Sequence, residues 1–187
     1  TLIIVYTMGL PRGATAASCR VPSTHATIAT AVADANCSTI GIASGTYNER
    51  LTITRSLSLR GDWAPTTVID GGAGGSVISI NGGEVEISGL TIRNGKAAKN
   101  GGGIAISGGT VKLFVLRLVD NVAGASGGGV HVSGDSTSLA VYMSTIVGNV
   151  ALAGSGGGIA VTGGTLELDN TTLSGNGATG AGGGVAR

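Results

Sequence analysis

A glycine triplet followed by a β-branched residue recurs four times: Gly101-Gly102-Gly103-Ile104, Gly127-Gly128-Gly129-Val130, Gly156-Gly157-Gly158-Ile159 and Gly182-Gly183-Gly184-Val185. The steps between copies are 26, 29 and 26 residues. A period of this size confines the chain to stacked architectures, in which each unit buries its apolar face only against its neighbours. Every unit also carries an element built around a glycine pair, at 80–87, 106–113 and 161–168; residues 132–141 hold the same element with two extra residues. A third element closes on Asn94, Asn121, Asn149 or Asn176. The extra residues fall in turns, where a stack tolerates them.

Apolar and polar residues alternate within each element, so one side chain in two points inward. Three short strands per unit, with glycines to supply positive φ at corners and no helix between them, specify an all-β fold. That fold is a right-handed, single-stranded parallel β-helix. A leucine-rich repeat would need denser leucine and an outer helix, and a calcium-binding nonapeptide repeat would need Asp at a fixed step after Gly; neither pattern is present. The alternation sets Val85, Ile87, Val111, Leu113, Leu166 and Leu168 in inward columns and turns Glu86, Lys112 and Glu167 outward. The four Asn predict an amide ladder that satisfies corner backbone groups, a structural role that suits a residue repeated in every unit. Arg93 and Asp120, each preceding one of these Asn, are expected to pair between units. His131 is expected to face solvent between inward Val130 and Val132.

Residues 39–80 show the same alternation less regularly, with Gly45, Gly61 and Gly71-Gly72 as turns. Ahead of them Cys19 and Cys37 bracket residues 24–35, whose Ile28 and Val32 share one helical face, with Ser23 or Thr24 as caps. Two cysteines allow one disulfide or two buried thiols. Their placement around the only helical pattern favours a disulfide-tied helical cap, and with it an oxidising compartment. The first residues are apolar and lead to Ala14-Thr15-Ala16, the form of a secretory signal's tail. They are too few to span a bilayer as a helix, and residues 2–6 also suit a strand. The chain thus divides into a signal-like or extended segment (1–18), a helical cap (19–37) and a β-helix (38–187). It stops inside the fourth triplet element without a polar closing cap. The β-helix is therefore expected to continue in a longer parent protein and to self-associate end to end, with residues 2–6 a candidate cover.

Residues 27–72 pass from a small helix to IASGTYNER, LSLRGD and TVIDG, and resemble the amino-terminal cap and first coils of the pectin-lyase-like superfamily. Residues 90–185 resemble the passenger repeats of polymorphic outer-membrane proteins, built on Gly-Gly-Ala-aliphatic and Phe-x-x-Asn motifs. The matching residues are the four triplets and Leu118-Val119-Asp120-Asn121, Ile146-Val147-Gly148-Asn149 and Leu173-Ser174-Gly175-Asn176, with Gly in place of Ala and Leu or Ile in place of Phe. The resemblance implies the fold and a secreted or outer-membrane-associated cell-surface location. It leaves activity open, because this fold hosts many functions.

The superfamily implies polysaccharide chemistry, which these residues supply poorly. An inverting polygalacturonase resembles a cluster of three Asp with Gly-His-Gly and Arg-x-Lys, and neither short motif occurs. A pectin methylesterase needs Gln donors, and the chain has no Gln. A pectate lyase needs a carboxylate nest for calcium, and no acidic residues are adjacent. No phosphate loop or zinc spacing appears, so no catalytic residue, cofactor or metal is assigned. Charged residues make up 11% of the chain at a net charge of +1, without the Lys/Arg stripe of a nucleic-acid binder. The 36 glycines follow no Gly-X-Y period and accompany 42% apolar residues, which excludes collagen and a flexible linker. The expected function is a non-enzymatic extracellular or cell-surface scaffold or adhesin-type domain of a larger exported protein, meeting a surface protein or carbohydrate. A polysaccharide-active β-helix, pectate-lyase-like or glycoside-hydrolase-like, is the alternative. Ice binding through a flat Thr face has only Thr52-Ile53-Thr54 to recommend it.

Overall fold

The structure, a computed structural model, describes residues 18–187; the signal-like segment up to residue 17, with its expected strand at 2–6, lies outside the described residues. Those described form a parallel β-solenoid of about five turns. One bent sheet holds, in order, Ser18–Val21, Thr39–Ile42, Leu57–Gly61, Ile78–Ser88, Ile104–Phe114, Val130–Val132, Ile159–Val161 and Val185–Ala186, with Leu51–Ile53, Ser138–Tyr142 and Thr165–Asp169 alongside. A second sheet stacks Gly45–Asn48, Thr67–Asp70, Thr91–Arg93, Arg117–Val119, Thr145–Val147 and Thr172–Ser174. A third, narrow one stacks Lys96–Ala97, Val122–Ala123, Val150–Ala151 and Gly177–Ala178. No helix among the described residues is long and apolar enough to cross a membrane.

The sequence period is the coil period. Ile104 pairs with Val130, Val130 with Ile159 and Ile159 with Val185, in steps of 26, 29 and 26. Val85, Val111, Leu139 and Leu166 form one inward column, and Ile87, Leu113, Val141 and Leu168 the next. The columns are buried down to Leu139 and Val141, but Leu166 is only partly buried and Leu168 is 37% exposed. Both lie on the last described coil, so truncating Leu168 forfeits less burial than truncating Leu113. The glycine pairs at 82–83 and 108–109 do not end their strands, as a turn would. Strands Ile78–Ser88 and Ile104–Phe114 run through them, with register shifts on either side of Gly108. A bulge bends the sheet there without surrendering its ladder.

The triplets solve a packing problem. Their first members are left-handed, with φ of 68° at Gly101, 70° at Gly127 and 65° at Gly156. In the first three triplets the later members touch the next coil's backbone, where a side chain has no room. Main-chain bonds run straight through these glycines, as in Gly102 N–H to Gly127 O at 3.1 Å and Gly103 N–H to Gly128 O at 3.0 Å.

The amino-terminal end is closed by helix Ile28–Ala33, shorter than the expected 24–35 and capped by Thr27 rather than Ser23 or Thr24. Thr27 and Thr30 bond reciprocally at the first turn, and Ile28, Ala31 and Val32 bury against the core. Two side chains from the following coil clamp the helix. The Glu49 carboxylate accepts from Ile28 N (3.0 Å) and Ala29 N (2.8 Å). The Arg55 guanidinium donates to the carbonyls of Val32 (2.9 Å), Asp34 (2.7 Å) and Cys37 (3.0 Å). Opposite charges thus meet the two ends of the helix dipole.

Candidate functional site

Several places on the solenoid bring polar chemistry together. The first lies beside the cap, where Cys19 and Cys37 form a disulfide with Cα atoms 5.6 Å apart. His25 packs against it: Nε2 is 3.7 Å from Cys37 Sγ and 3.2 Å from Asp34 Oδ2, while Nδ1 is 3.1 Å from Thr24 Oγ1. The Asn36 backbone N–H and the His25 ring hold the Asp34 carboxyl below the usual carboxylate range. Sequence spacing gave no hint of this grouping, because the turn at 20–25 folds His25 back over the disulfide.

The second is the amide ladder. Asn121 Nδ2 donates to Asn149 Oδ1 (2.9 Å), and Asn149 Nδ2 donates to Asn176 Oδ1 (3.0 Å). The backbone N–H of Asn121 and of Asn149 reaches the same acceptors, both at 3.0 Å. The amides also donate to Ile92 O, Leu118 O and Ile146 O in turn. Asn94 stands outside the ladder. Arg93 pairs with Val119, which sets Asn94 level with Asp120 at a left-handed corner (φ 56° and 53°), and Gly95 takes the ladder position, its N–H donating to Asn121 Oδ1. The Arg-Asn and Asp-Asn dipeptides look equivalent in sequence but are offset by one residue.

The same offset separates Arg93 from Asp120. The Arg93 Nε instead bonds Asp70 Oδ2 at 2.9 Å, one coil earlier, and Asn94 Nδ2 bonds that oxygen at 2.8 Å. Burial alone would push the Asp70 carboxyl up; the Gly72 N–H, Asn94 and Arg93 outweigh it and hold it below the usual range. A shallow groove runs past this group to Lys96 and Asp120. The Arg93 and Asn94 bonds reach Asp70 from the next coil, so the group braces the corner between coils.

The third is a depression on the outer face of the large sheet, lined by Ser58, Glu84, Glu86, Thr110 and Lys112. Glu84 and Glu86 are two apart on one strand and so share a face. Arg60 Nη2 donates to Glu86 Oε1 at 3.1 Å. This acidic pair is separated by Val85 in the sequence, which hid it from a search for adjacent acids.

The fourth is His131, which is buried at 6% exposure rather than solvent-facing. Its column is Ala105, His131 and Ala160, and the triplet turn folds over it: a Cβ on Gly127 would come within 2.8 Å of the His131 Cβ. Alternation correctly sends the ring outward, but outward here is under a loop. Nε2 lies 3.2 Å from Thr162 Oγ1 on the next coil. Burial lowers the imidazole pKa below its ordinary 6.5. A proton that binds the unfolded chain more tightly than the folded one destabilises the fold. The contribution is therefore complete above pH 6.5 and shrinks as pH falls below it toward the folded value. Urea midpoints of wild type and His131→Ala, compared from pH 7 to 5, should diverge in favour of the variant on the acid side; parallel curves would refute this.

Compared with protein-family profiles, with curated proteins and with solved structures, the chain matches none. The functional reading therefore stands on the residues alone.

Proposed function

We propose that the chain is a non-enzymatic scaffold or adhesin-type domain of a larger exported protein, working outside the cell. The observation that carries this reading is that the half-buried charged side chains hold the fold. Glu49 and Arg55 hold the cap, Arg93 braces Asp70, and Arg60 bonds Glu86 across coils. Groups committed to the protein's own backbone and neighbours suit a rigid rod better than a reaction centre, where some must be free to meet substrate. The disulfide accords with an oxidising compartment. The triplet and Asn motifs accord with a passenger repeat of the polymorphic outer-membrane type on a pectin-lyase-like β-helix. The partner expected is a surface protein or a carbohydrate laid along the coils. The last described coil, with Leu168 and Val185 exposed, also suits parallel stacking by a further coil or a second copy; a concentration-independent monomer in sedimentation would remove the second copy.

One observation favours the alternative, a polysaccharide-active enzyme. Glu84 and Glu86 beside Lys112 offer two carboxylates and a cation on an open face, the raw material of acid–base chemistry on a sugar chain. Incubation with pectate, polygalacturonate and methylated pectin, with and without calcium, should release no product. Release that is lost in both Glu84→Gln and Glu86→Gln would transfer the assignment to the enzyme.

A further inference from the structure

The grouping beside the cap is more than a disulfide needs. One donor atom each from Cys19, His25, Asp34 and Cys37 lies within 4.8 Å of all the others. A Cys-His-Asp relay does not explain it. Such a relay uses the two ring nitrogens for different partners, one for the nucleophile and one for the carboxylate. Here Cys37 and Asp34 both address Nε2, and Nδ1 is held elsewhere.

That other bond is informative. Thr24 Oγ1 donates its single proton to Arg20 O at 2.9 Å and accepts from Arg20 N at 2.7 Å. Toward His25 it is therefore an acceptor, so Nδ1 carries a proton; Nε2, which donates to Asp34 Oδ2 in the disulfide form, is the atom left to bind a cation once its own proton leaves. An outer hydrogen bond that fixes the tautomer and aims the free nitrogen is the usual support of a metal-binding histidine. The spacing agrees as well. Tetrahedral zinc with bonds of about 2.0–2.3 Å needs donors roughly 3.3–3.8 Å apart. The Nε2–Oδ2 and Nε2–Sγ separations are already 3.2 and 3.7 Å. The bonded sulfurs must part and the remaining pairs, all within 4.8 Å, must draw in; the cap does not depend on the disulfide entirely, because Glu49 and Arg55 clamp the helix from the next coil. His25 and Asp34 keep some exposure, at 18% and 34% of their side chains, and give an ion its way in.

We propose that the cap is a redox-gated site for zinc or a similar thiolate-binding divalent cation, with Cys19, Cys37, His25 and Asp34 as its four ligands. A dithiol transfers two electrons and two protons to the disulfide and leaves as its own disulfide. The cation then displaces both thiol protons and the Nε2 proton to solvent and takes the two thiolates, Nε2 and Oδ2. Metal and disulfide exclude each other, so bound metal protects the thiols from oxidation and closes the cap before the disulfide forms. This proposal is independent of the function proposed above.

Cobalt titration tests it. Protein reduced with a phosphine and freed of reductant without air should bind one Co2+ per chain, with a thiolate-to-cobalt charge-transfer band that Zn2+ abolishes. The oxidised protein should show no band. Cys37→Ser should lose the band, His25→Ala should weaken binding at least as much as loss of an outer partner does, and Thr24→Val should weaken it by about 10- to 100-fold. Amide exchange of 28–33 in the reduced protein serves as a second readout and should slow on adding Zn2+. Absence of cobalt binding, binding unchanged in His25→Ala, or a cap that opens on reduction and is not restored by zinc would each overturn the proposal.

Discussion

Gly128→Ala is expected to abolish folding or to remove most of the stability, while Gly177→Ala should stay within about 1 kcal/mol of wild type. A Cβ on Gly128 would lie 2.5 Å from Gly157 O and 2.6 Å from Val150 C, and closer still to Val150 N. All three are main-chain atoms of the next coil, so no rotamer change relieves the contact. The coils would have to separate, and the separation would break the bonds from Gly129 N to Gly157 O (3.0 Å) and from Val130 N to Gly158 O (2.8 Å). A loss above about 4–5 kcal/mol is exceptional for one methyl group. It is also comparable to the whole net stability of roughly 5–15 kcal/mol of an ordinary domain. Gly177 has nothing within 4 Å of a built Cβ and no left-handed φ. Urea midpoints and soluble yield measure both variants, and a Gly128→Ala protein as stable as wild type would refute the packing argument.

The second large effect is expected at Asn149. This residue is fully buried, donates to Leu118 O, Val147 O and Asn176 Oδ1, and accepts from the main chain and side chain of Asn121. Asn149→Ala strands the Asn121 donors and the Leu118 carbonyl away from water, each at about 1–3 kcal/mol. A total of roughly 3–9 kcal/mol follows from those three penalties. Asn176→Ala should cost about 1 kcal/mol, because that end of the ladder is half-exposed and water can substitute. Equilibrium unfolding of both variants decides the matter: equal losses would mean that the ladder is incidental.

Both effects bear on what the sequence could reveal. The coil period, the inward columns and the disulfide were legible because each rests on a local pattern: a triplet, an alternation, a bracketed helix. The ladder was legible at Asn121, Asn149 and Asn176 and misleading at Asn94. Only register distinguishes a left-handed corner from the buried position after it, and register is set by a neighbouring coil about 26 residues away. His131 failed for a related reason, since alternation gives a side chain's direction but not what lies over it. The clamps at Glu49 and Arg55 and the Glu84–Glu86 pair carry no spacing signal, because their meaning comes from the coil they reach. The cluster at Cys19, His25, Asp34 and Cys37 was hidden in the same way, by a turn that doubles the chain back on itself.

The amides of the ladder all face one way. Along the ladder the Nδ2 of Asn121 and of Asn149 gives to the higher-numbered asparagine, and each Oδ1 receives from the lower-numbered unit. Such a line is head-to-tail, and each bond polarises the next in the same sense. Duplicating or deleting one whole unit would reproduce every giver and receiver in the right order, whatever its loops carry. A cut inside a unit would set two oxygens against each other in a dry corner, or leave a hydrogen with no acceptor. Whole coils are therefore the currency in which this chain can change its length, and the asparagines are the marks at which it can be spliced.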